Sequence, residues 1–271
     1  MQQSFSVLMS VYAKDRPAWV REAFDSVLSN TVKPAEVVIM VDGPVPADLQ
    51  TVLDEAAHNP LVRVISHPVN IGRGAALGIA VPQCKNELIA LMDADDISRP
   101  DRFEKLLAVF DANPALAVVG GQVQERDADT LTPLVQRQVP LTNAQIRQYL
   151  KTRMPFNNQT VLFKKSAILG SGNFQAFGLL EDYYMWARVL AKGYQAQNVP
   201  DVLVDMRVSP AMYGRRGGYN YFHMNKLLFD KMRELNLLDI WEYYYTLSIR
   251  FCVQVLMPNW LRSYFYKKAL R

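Results

Sequence analysis

A chain of 271 residues, half of them apolar, is long enough to bury a full core and is neither a disordered nor a low-complexity polypeptide. Its formal charge of +4 is unevenly placed: residues 1–210 carry 20 Lys+Arg against 22 Asp+Glu, whereas residues 211–271 carry 10 against 4 together with 14 of the 29 aromatic residues. Gln254, Pro258 and Asn259 interrupt the most apolar part of that tail, which argues against a membrane-spanning helix, and a basic, aromatic terminus suits an anionic surface instead.

Residues Met1-Gln2-Gln3-Ser4 lack the charged start of a secretory signal, and the run that follows, Phe5–Val11, alternates as a strand does. Further apolar, β-branched runs at Glu36–Val41, Val62–Ser66, Glu87–Met92 and Ala117–Val123 alternate with helix-like segments. Their near-continuous Val, Ile and Leu content predicts strands buried on both faces: a doubly wound, Rossmann-like α/β sheet, mostly parallel and flanked by helices. Ligands of such sheets gather at the carboxyl ends of the strands. Polar residues stand there: Ser10 and Tyr12 after the first strand, Asp42 after the second, Asn70-Ile71-Gly72-Arg73-Gly74 after the third, and Asp93, Asp95 and Asp96 after the fourth.

Beyond Gln124 the pattern loosens into a loop, a helix near Thr142–Lys151, a strand near Gln159–Phe163 and the glycine-rich Gly170-Ser171-Gly172. An amphipathic helix then opens at Leu179–Trp186 with Glu181 and Asp182 in its first turn. The division expected is a domain over 1–210 and a basic, aromatic, helical, membrane-associating extension over 211–271, with Arg215 and Arg216 set between glycines at its start.

Three carboxylates within four residues repel one another unless a cation or donor groups offset them, and a hard divalent ion with oxygen ligands does so. The plainer reading is a solvated turn before a helix, with Ser98 as cap and Pro100 at the first helical position, but capping takes one short polar residue and not three acids. Asn70, Gly72, Arg73 and Gly74 suit either phosphate and sugar oxygens or a simple helix start. Arg215 and Arg216 suit either a flap over a diphosphate or a solvated loop. Glu181 and Asp182 by themselves could merely stabilise a helix N-terminus. His58, His67 and His223 lack zinc spacing, and Cys84 and Cys252 read as reduced thiols.

Gly72-Arg73-Gly74-Ala75-Ala76-Leu77-Gly78 is a poor dinucleotide loop, because its third glycine comes one position late and it follows the third strand. A nucleotidyltransferase would also need a nucleotide and a metal, but Tyr12–Pro17 lacks the glycine-rich loop expected after its first strand. A non-enzymatic membrane-surface adaptor accounts for the tail and leaves the acids unused.

Taken in order, Ser10-Val11-Tyr12, Val41-Asp42-Gly43, Asn70-x-Gly72, Asp93-x-Asp95-Asp96, Pro100-Asp101-Arg102 and Glu181-Asp182-Tyr183 resemble the motifs of an inverting family 2 glycosyltransferase of the GT-A fold, over residues 4–207. The tail further looks like that of bacterial enzymes of O-antigen, capsule and exopolysaccharide assembly, including the amylovoran type. This resemblance implies transfer of a sugar from a nucleotide-diphospho-sugar, a UDP-hexose, to a hydroxyl of a polyprenyl-diphosphate-linked saccharide, with a β-glycosidic product. Mn²⁺ or Mg²⁺ is the implied cofactor. The implied partners are the donor, the lipid-linked acceptor and an anionic membrane surface, with no nucleic acid, and the implied place is the cytoplasmic face of the inner membrane.

By the same resemblance Ser10, Tyr12 and Asp42 hold the base, and Asp93 lies at the ribose. Asn70, Gly72, Arg73, Arg215 and Arg216 serve the rest of the donor. Asp95 reaches the metal, with Asp96 as an alternative ligand or a support behind it. Asp182 is the catalytic base, and Glu181, Asn158 and Trp186 stand on the acceptor side. Related chains often carry a histidine where this one reads Asn157-Asn158-Gln159, which removes any charge that imidazole would bring.

Overall fold

The computed structural model describes residues 3–209 and 217–258. Arg215, Arg216 and the basic stretch beyond residue 258, all expected to serve binding, lie outside the described residues. The chain begins β1 (Phe5–Tyr12), α1 (Pro17–Leu28), β2 (Glu36–Asp42), α2 (Ala47–Ala57), β3 (Val62–His67), α3 (Arg73–Ala80) and β4 (Leu88–Asp93). β1 lies between β2 and β4 and runs parallel to both, and β3 extends the sheet beyond β2. Every carboxyl end in this half therefore opens on the same edge, as the alternation of elements predicts.

The second half continues with β5 (Ile97–Ser98), α4 (Arg102–Ala112), β6 (Leu116–Asp127), β7 (Pro133–Arg137), α5 (Asn143–Leu150), β8 (Leu162–Lys164), α6 (Lys165–Gly170), α7 (Glu181–Ala191) and β9 (Gln195–Val208). The strands order as β3-β2-β1-β4-β8-β6-β9-β5, with β7 added on β6. Fourteen-residue β9 has no counterpart among the strands read from sequence. Pro200 sits within it and removes a ladder donor, which makes the segment read as broken; the register with β6 slips between Gly120 and Gln122, so the proline falls beside an irregularity that tolerates it.

Strand alternation divides the core in two. Leu8, Val38, Met40, Ile89 and Leu91 face α3 and α7, while Val7, Met9, Ile39, Val41 and Met92 face α1, α2 and α4. The C-terminal helices α8 (Tyr219–Glu234) and α9 (Ile240–Phe251) join the first of these cores through Leu228, Phe229, Met232 and Leu247. Asp239 and Glu242 form a reciprocal cap at the start of α9, and Glu242 also meets Lys151 just past α5 at 2.5 Å. Among the described residues no helix is long and apolar enough to cross a membrane.

Candidate active site

At the open edge of the sheet, register places Ser10 beside Asp93 and Tyr12 beside Asp42. Asp42 is nearly enclosed, and its two carboxylate oxygens accept the backbone amides of Ile71 at 2.7 Å and Gly72 at 2.9 Å. Its own carbonyl accepts the Asn70 side-chain amide at 3.0 Å. Asp42 and Asn70 thus fix the loop that carries Arg73, and only the remaining lone pairs of that carboxylate are left for a base. The following Gly43, at φ +87°, allows this approach, since a Cβ there would come within 2.6 Å of the Asn70 nitrogen.

Arg73 is the centre of the site. Its Nη1 donates to Asp182 Oδ2 at 2.7 Å and its Nη2 to Asp93 Oδ1 at 2.7 Å, with Glu181 at 3.9 Å. Burial would weaken the guanidinium charge, but Asp182, Asp93 and Glu181 together outweigh it and hold Arg73 protonated. The close approach of α3 to α7 depends on Gly74, whose missing Cβ would press on the Gln175 carbonyl and lie 2.8 Å from Glu181 Cβ. Gly74→Ala is expected to cost about 1–3 kcal/mol, the range for overpacking a tight contact. A urea denaturation midpoint unchanged from wild type would show that the two helices separate freely.

The acidic turn gives its members different surroundings. Asp95 reaches the surface, yet its carboxyl is pushed up to about 6 by the loss of water around it and by repulsion from Asp93. Asp15, in the β1–α1 loop, is pushed to about 7 by burial, which the Tyr12 amide it accepts at 2.9 Å partly offsets, with Asp95 and Asp93 adding repulsion. Asp96 points inward: it is 2% exposed, its Oδ1 accepts the Arg207 backbone amide at 2.9 Å, and burial raises its carboxyl well above the ordinary range. The metal-ligand alternative for Asp96 is corrected accordingly, because its carboxylate anchors the end of β9. Arg207 completes the anchor by donating to the Asp95 carbonyl at 2.7 Å.

Behind the turn, Arg102 is fully buried, donates to the Leu91 carbonyl at 2.6 Å and is lowered to about 9 by desolvation. Asp15, Arg207 and Arg102 were not singled out from the sequence as site residues. Asp15 carried one readable signal, its place in the loop after the first strand. Among the described residues no three such side chains form a ready-made metal cage. The oxygen donors nevertheless fit a hard cation: Asp95 and Asp93 crowd together with a raised carboxyl, and one or two carboxylates plus substrate phosphates suffice for Mg²⁺ or Mn²⁺.

On α7, Asp182 keeps Oδ2 on Arg73, while Oδ1 is buried without a hydrogen-bond partner among the described residues. Burial raises this carboxyl and Arg73 pulls it back. Trp186, expected on the acceptor side, is corrected: it is fully buried among Phe156, Phe163 and Phe174, and its indole donates to Asn158 Oδ1 at 3.1 Å. Asn158 itself remains at the site, lining a cavity of about 650 Å³ that also meets Asp93 and Asp182.

Glu181 is raised to about 7 by burial and by repulsion from Asp182, which Arg73 partly offsets. The folded protein then binds this proton more tightly than the unfolded chain, so stability falls as pH rises from the ordinary carboxylate range through about 7. Glu181→Gln is expected to flatten that fall by on the order of 1–2 kcal/mol between pH 5 and 8, at about 1.4 kcal/mol per unit of displacement. Parallel slopes in denaturant titrations of the two proteins would contradict it.

Residues 6–172 match the model of glycosyl transferase family 2. The chain is 35% identical over 267 residues to the UDP-Gal:α-D-GlcNAc-diphosphoundecaprenol β-1,3-galactosyltransferase of Escherichia coli, covering 98% of this chain and 96% of that one. It is 33% identical over 217 residues to the amylovoran biosynthesis glycosyltransferase AmsE of Erwinia amylovora, covering 80% and 81%. In fold it is similar to S. aureus TarS 1–349 in complex with UDP-GlcNAc, at a TM-score of 0.69 and 15% identity over 93% of this chain and 74% of that one. The motifs at the strand ends, the GT-A arrangement of sheet and helices, and the extent of these matches agree: the chain belongs to glycosyl transferase family 2 and is a glycosyltransferase.

Proposed function

We propose that this glycosyltransferase moves a hexose from a UDP-sugar to a hydroxyl of a polyprenyl-diphosphate-linked saccharide, inverting the anomeric centre to give a β-glycoside, in the assembly of a bacterial surface polysaccharide. The observation that carries this reading is the arginine bridge: one guanidinium holds Asp93 and Asp182 at 2.7 Å each, so a donor-side acid and a candidate base face a single reaction space. The activity for which the Escherichia coli relative is named, galactosyl transfer from UDP-Gal to GlcNAc-diphosphoundecaprenol, supports the choice of donor and acceptor.

In this reading Asp182 Oδ1 accepts the proton of the acceptor hydroxyl as that oxygen forms its bond to the anomeric carbon. The bond from that carbon to the diphosphate breaks on the opposite face, its electron pair leaves with the nucleoside diphosphate, and the proton passes from Asp182 to solvent. Ser10, Tyr12 and Asp42 line the base end of the donor, and Asn70 and Gly72 form the loop beside it. Asp95, with the substrate phosphates, would hold Mn²⁺ or Mg²⁺ while Asp93 faces the ribose, and the ion when bound would supply positive charge that offsets charge growing on the leaving diphosphate. The test is a screen of UDP-, GDP- and dTDP-sugars with Mn²⁺ and a synthetic polyprenyl-diphosphate-sugar acceptor, the product's anomeric configuration being read by NMR. A β-linked product from a UDP-hexose is expected; an α-linked product would rule out single inversion.

The reading also places the protein peripherally on the cytoplasmic face of the membrane. On α9, Trp241, Tyr244 and Tyr245 are exposed, at 81%, 58% and 67%, and Arg262, Lys267, Lys268 and Arg271 follow in sequence. Removing residues 259–271 is expected to reduce sedimentation with anionic vesicles severalfold, whereas equal sedimentation would exclude the tail as the anchor. A cut at 243 would be uninformative, because Tyr243 and Leu247 are buried in the core.

A further inference from the structure

The cavity beside Asp182 does not end at the transfer site. It continues past Asn158 to α9, where Tyr245, Thr246, Ile249 and Arg250 line it. Arg250 is held in place by neutral partners: Nη1 donates to Asn225 Oδ1 at 2.6 Å, Nη2 donates to the Thr152 carbonyl at 2.6 Å, and the guanidinium lies 4.8 Å from the centre of the Phe229 ring. Its Nε is buried without a hydrogen-bond partner among the described residues, and no described carboxylate pairs with it. The Thr152 carbonyl that positions Arg250 is followed directly by Arg153, which lines the same cavity.

A guanidinium that is held in place by neutral partners and lines a cavity carries a charge that an entering anion would offset, and its Nη groups keep further N–H donors for that anion. The acids of the lining nearest the transfer site, Asp93 and Asp182, are paired with Arg73. Arg250 is also close to the α7 residue that follows Asp182, since its charge is the first influence opposing the effect of burial on the Tyr183 phenol.

We propose that Arg250, with Arg153 beside it, forms a subsite for a diphosphate at the α9 end of this cavity, and that this diphosphate belongs to the lipid-linked acceptor. The proposal rests on the acceptor reading given above and assigns residues to it. The saccharide then lies between Arg250 and Asp182, and the lipid leaves over the exposed side chains of Tyr245 and Ile249. A guanidinium fork suits diphosphate oxygens, and anchoring the acceptor by a group remote from the reacting hydroxyl holds that hydroxyl at Asp182.

The test is calorimetric titration of the full chain, its donor site filled with UDP and Mg²⁺, with decyl diphosphate and separately with inorganic diphosphate. Decyl diphosphate is expected to bind without displacing UDP. Arg250→Gln and Arg153→Gln should each weaken it at least tenfold with UDP affinity unchanged, and Arg250→Lys should recover part of the loss. Wild-type failure to bind, displacement of UDP, or wild-type affinity in either glutamine variant would overturn the subsite. Inorganic diphosphate bound as tightly as decyl diphosphate would overturn its assignment to the acceptor. A UDP titration alone reads the donor side separately: binding of decyl diphosphate by a protein that takes no UDP would preserve the subsite and overturn the UDP-donor reading of the cleft.

Discussion

Replacement of Asp182 by Asn is expected to lower turnover by about 10²–10⁴, the usual worth of a positioned general base, while leaving UDP affinity within about threefold. The substitution preserves shape but replaces an oxygen able to take a proton with an amide that cannot. Oδ1 is the relevant atom: it is buried, unpartnered among the described residues and next to the cavity, whereas Oδ2 is occupied by Arg73. Arg73 keeps its second pairing with Asp93 at 2.7 Å, so the donor side should survive. Because burial raises the Asp182 carboxyl, turnover in the wild type should rise with pH as this acid ionises, and that limb should vanish in the variant. Near-normal turnover, or an unchanged pH profile, would remove Asp182 from the role of base.

The second large effect is expected at Asp95. In the wild type, UDP and Mn²⁺ together should raise the melting temperature by about 5–10 °C, as binding at roughly a hundred times Kd contributes about 2.7 kcal/mol and a chain of this size shifts about 2–4 °C per kcal/mol. Asp95→Asn should abolish most of that joint increment, since the side chain reaches the surface of the acidic turn and its carboxyl is raised by loss of water and by repulsion from Asp93, both of which a cation would offset. Asp96→Asn provides the contrast. Its carboxylate holds the Arg207 amide inside the protein, so the loss should appear in the melting temperature without ligands while the increment from UDP and Mn²⁺ persists. Equal increments in wild type and Asp95→Asn would remove Asp95 as a ligand.

The parts that could be read from the sequence are those governed by local pattern. Strands buried on both faces produce apolar runs, so β1, β2 and β4 and their polar ends are visible without coordinates; β3, expected to be equally enclosed, lies at the end of the sheet order and is only partly buried, though its β-branched run still marks it as a strand. Chemistry also leaves a local trace where like charges crowd, as at Asp93, Asp95 and Asp96, or open a helix, as at Glu181 and Asp182. Acids that differ by one position in sequence can face opposite ways, however. Asp95 and Asp96 are adjacent, and only the arrival of β9, 111 residues later, turns one of them into an anchor.

The same limit explains Trp186. An aromatic residue on an amphipathic helix suits a sugar or a core, and its place among three phenylalanines and Asn158 is decided by segments far away in the chain. Arg102 and Arg207 have no periodic signature because the carbonyls they bond, those of Leu91 and Asp95, lie on other elements, while Asp15 shows only its place in the loop after the first strand. By itself, then, the sequence determined the α/β order, the edge on which the site opens and the acids that could work there. Only the tertiary structure decided which of those acids meet through Arg73, and that α8 and α9 share the core and wall the cavity, because such contacts are made between residues whose separation along the chain carries no periodic signal.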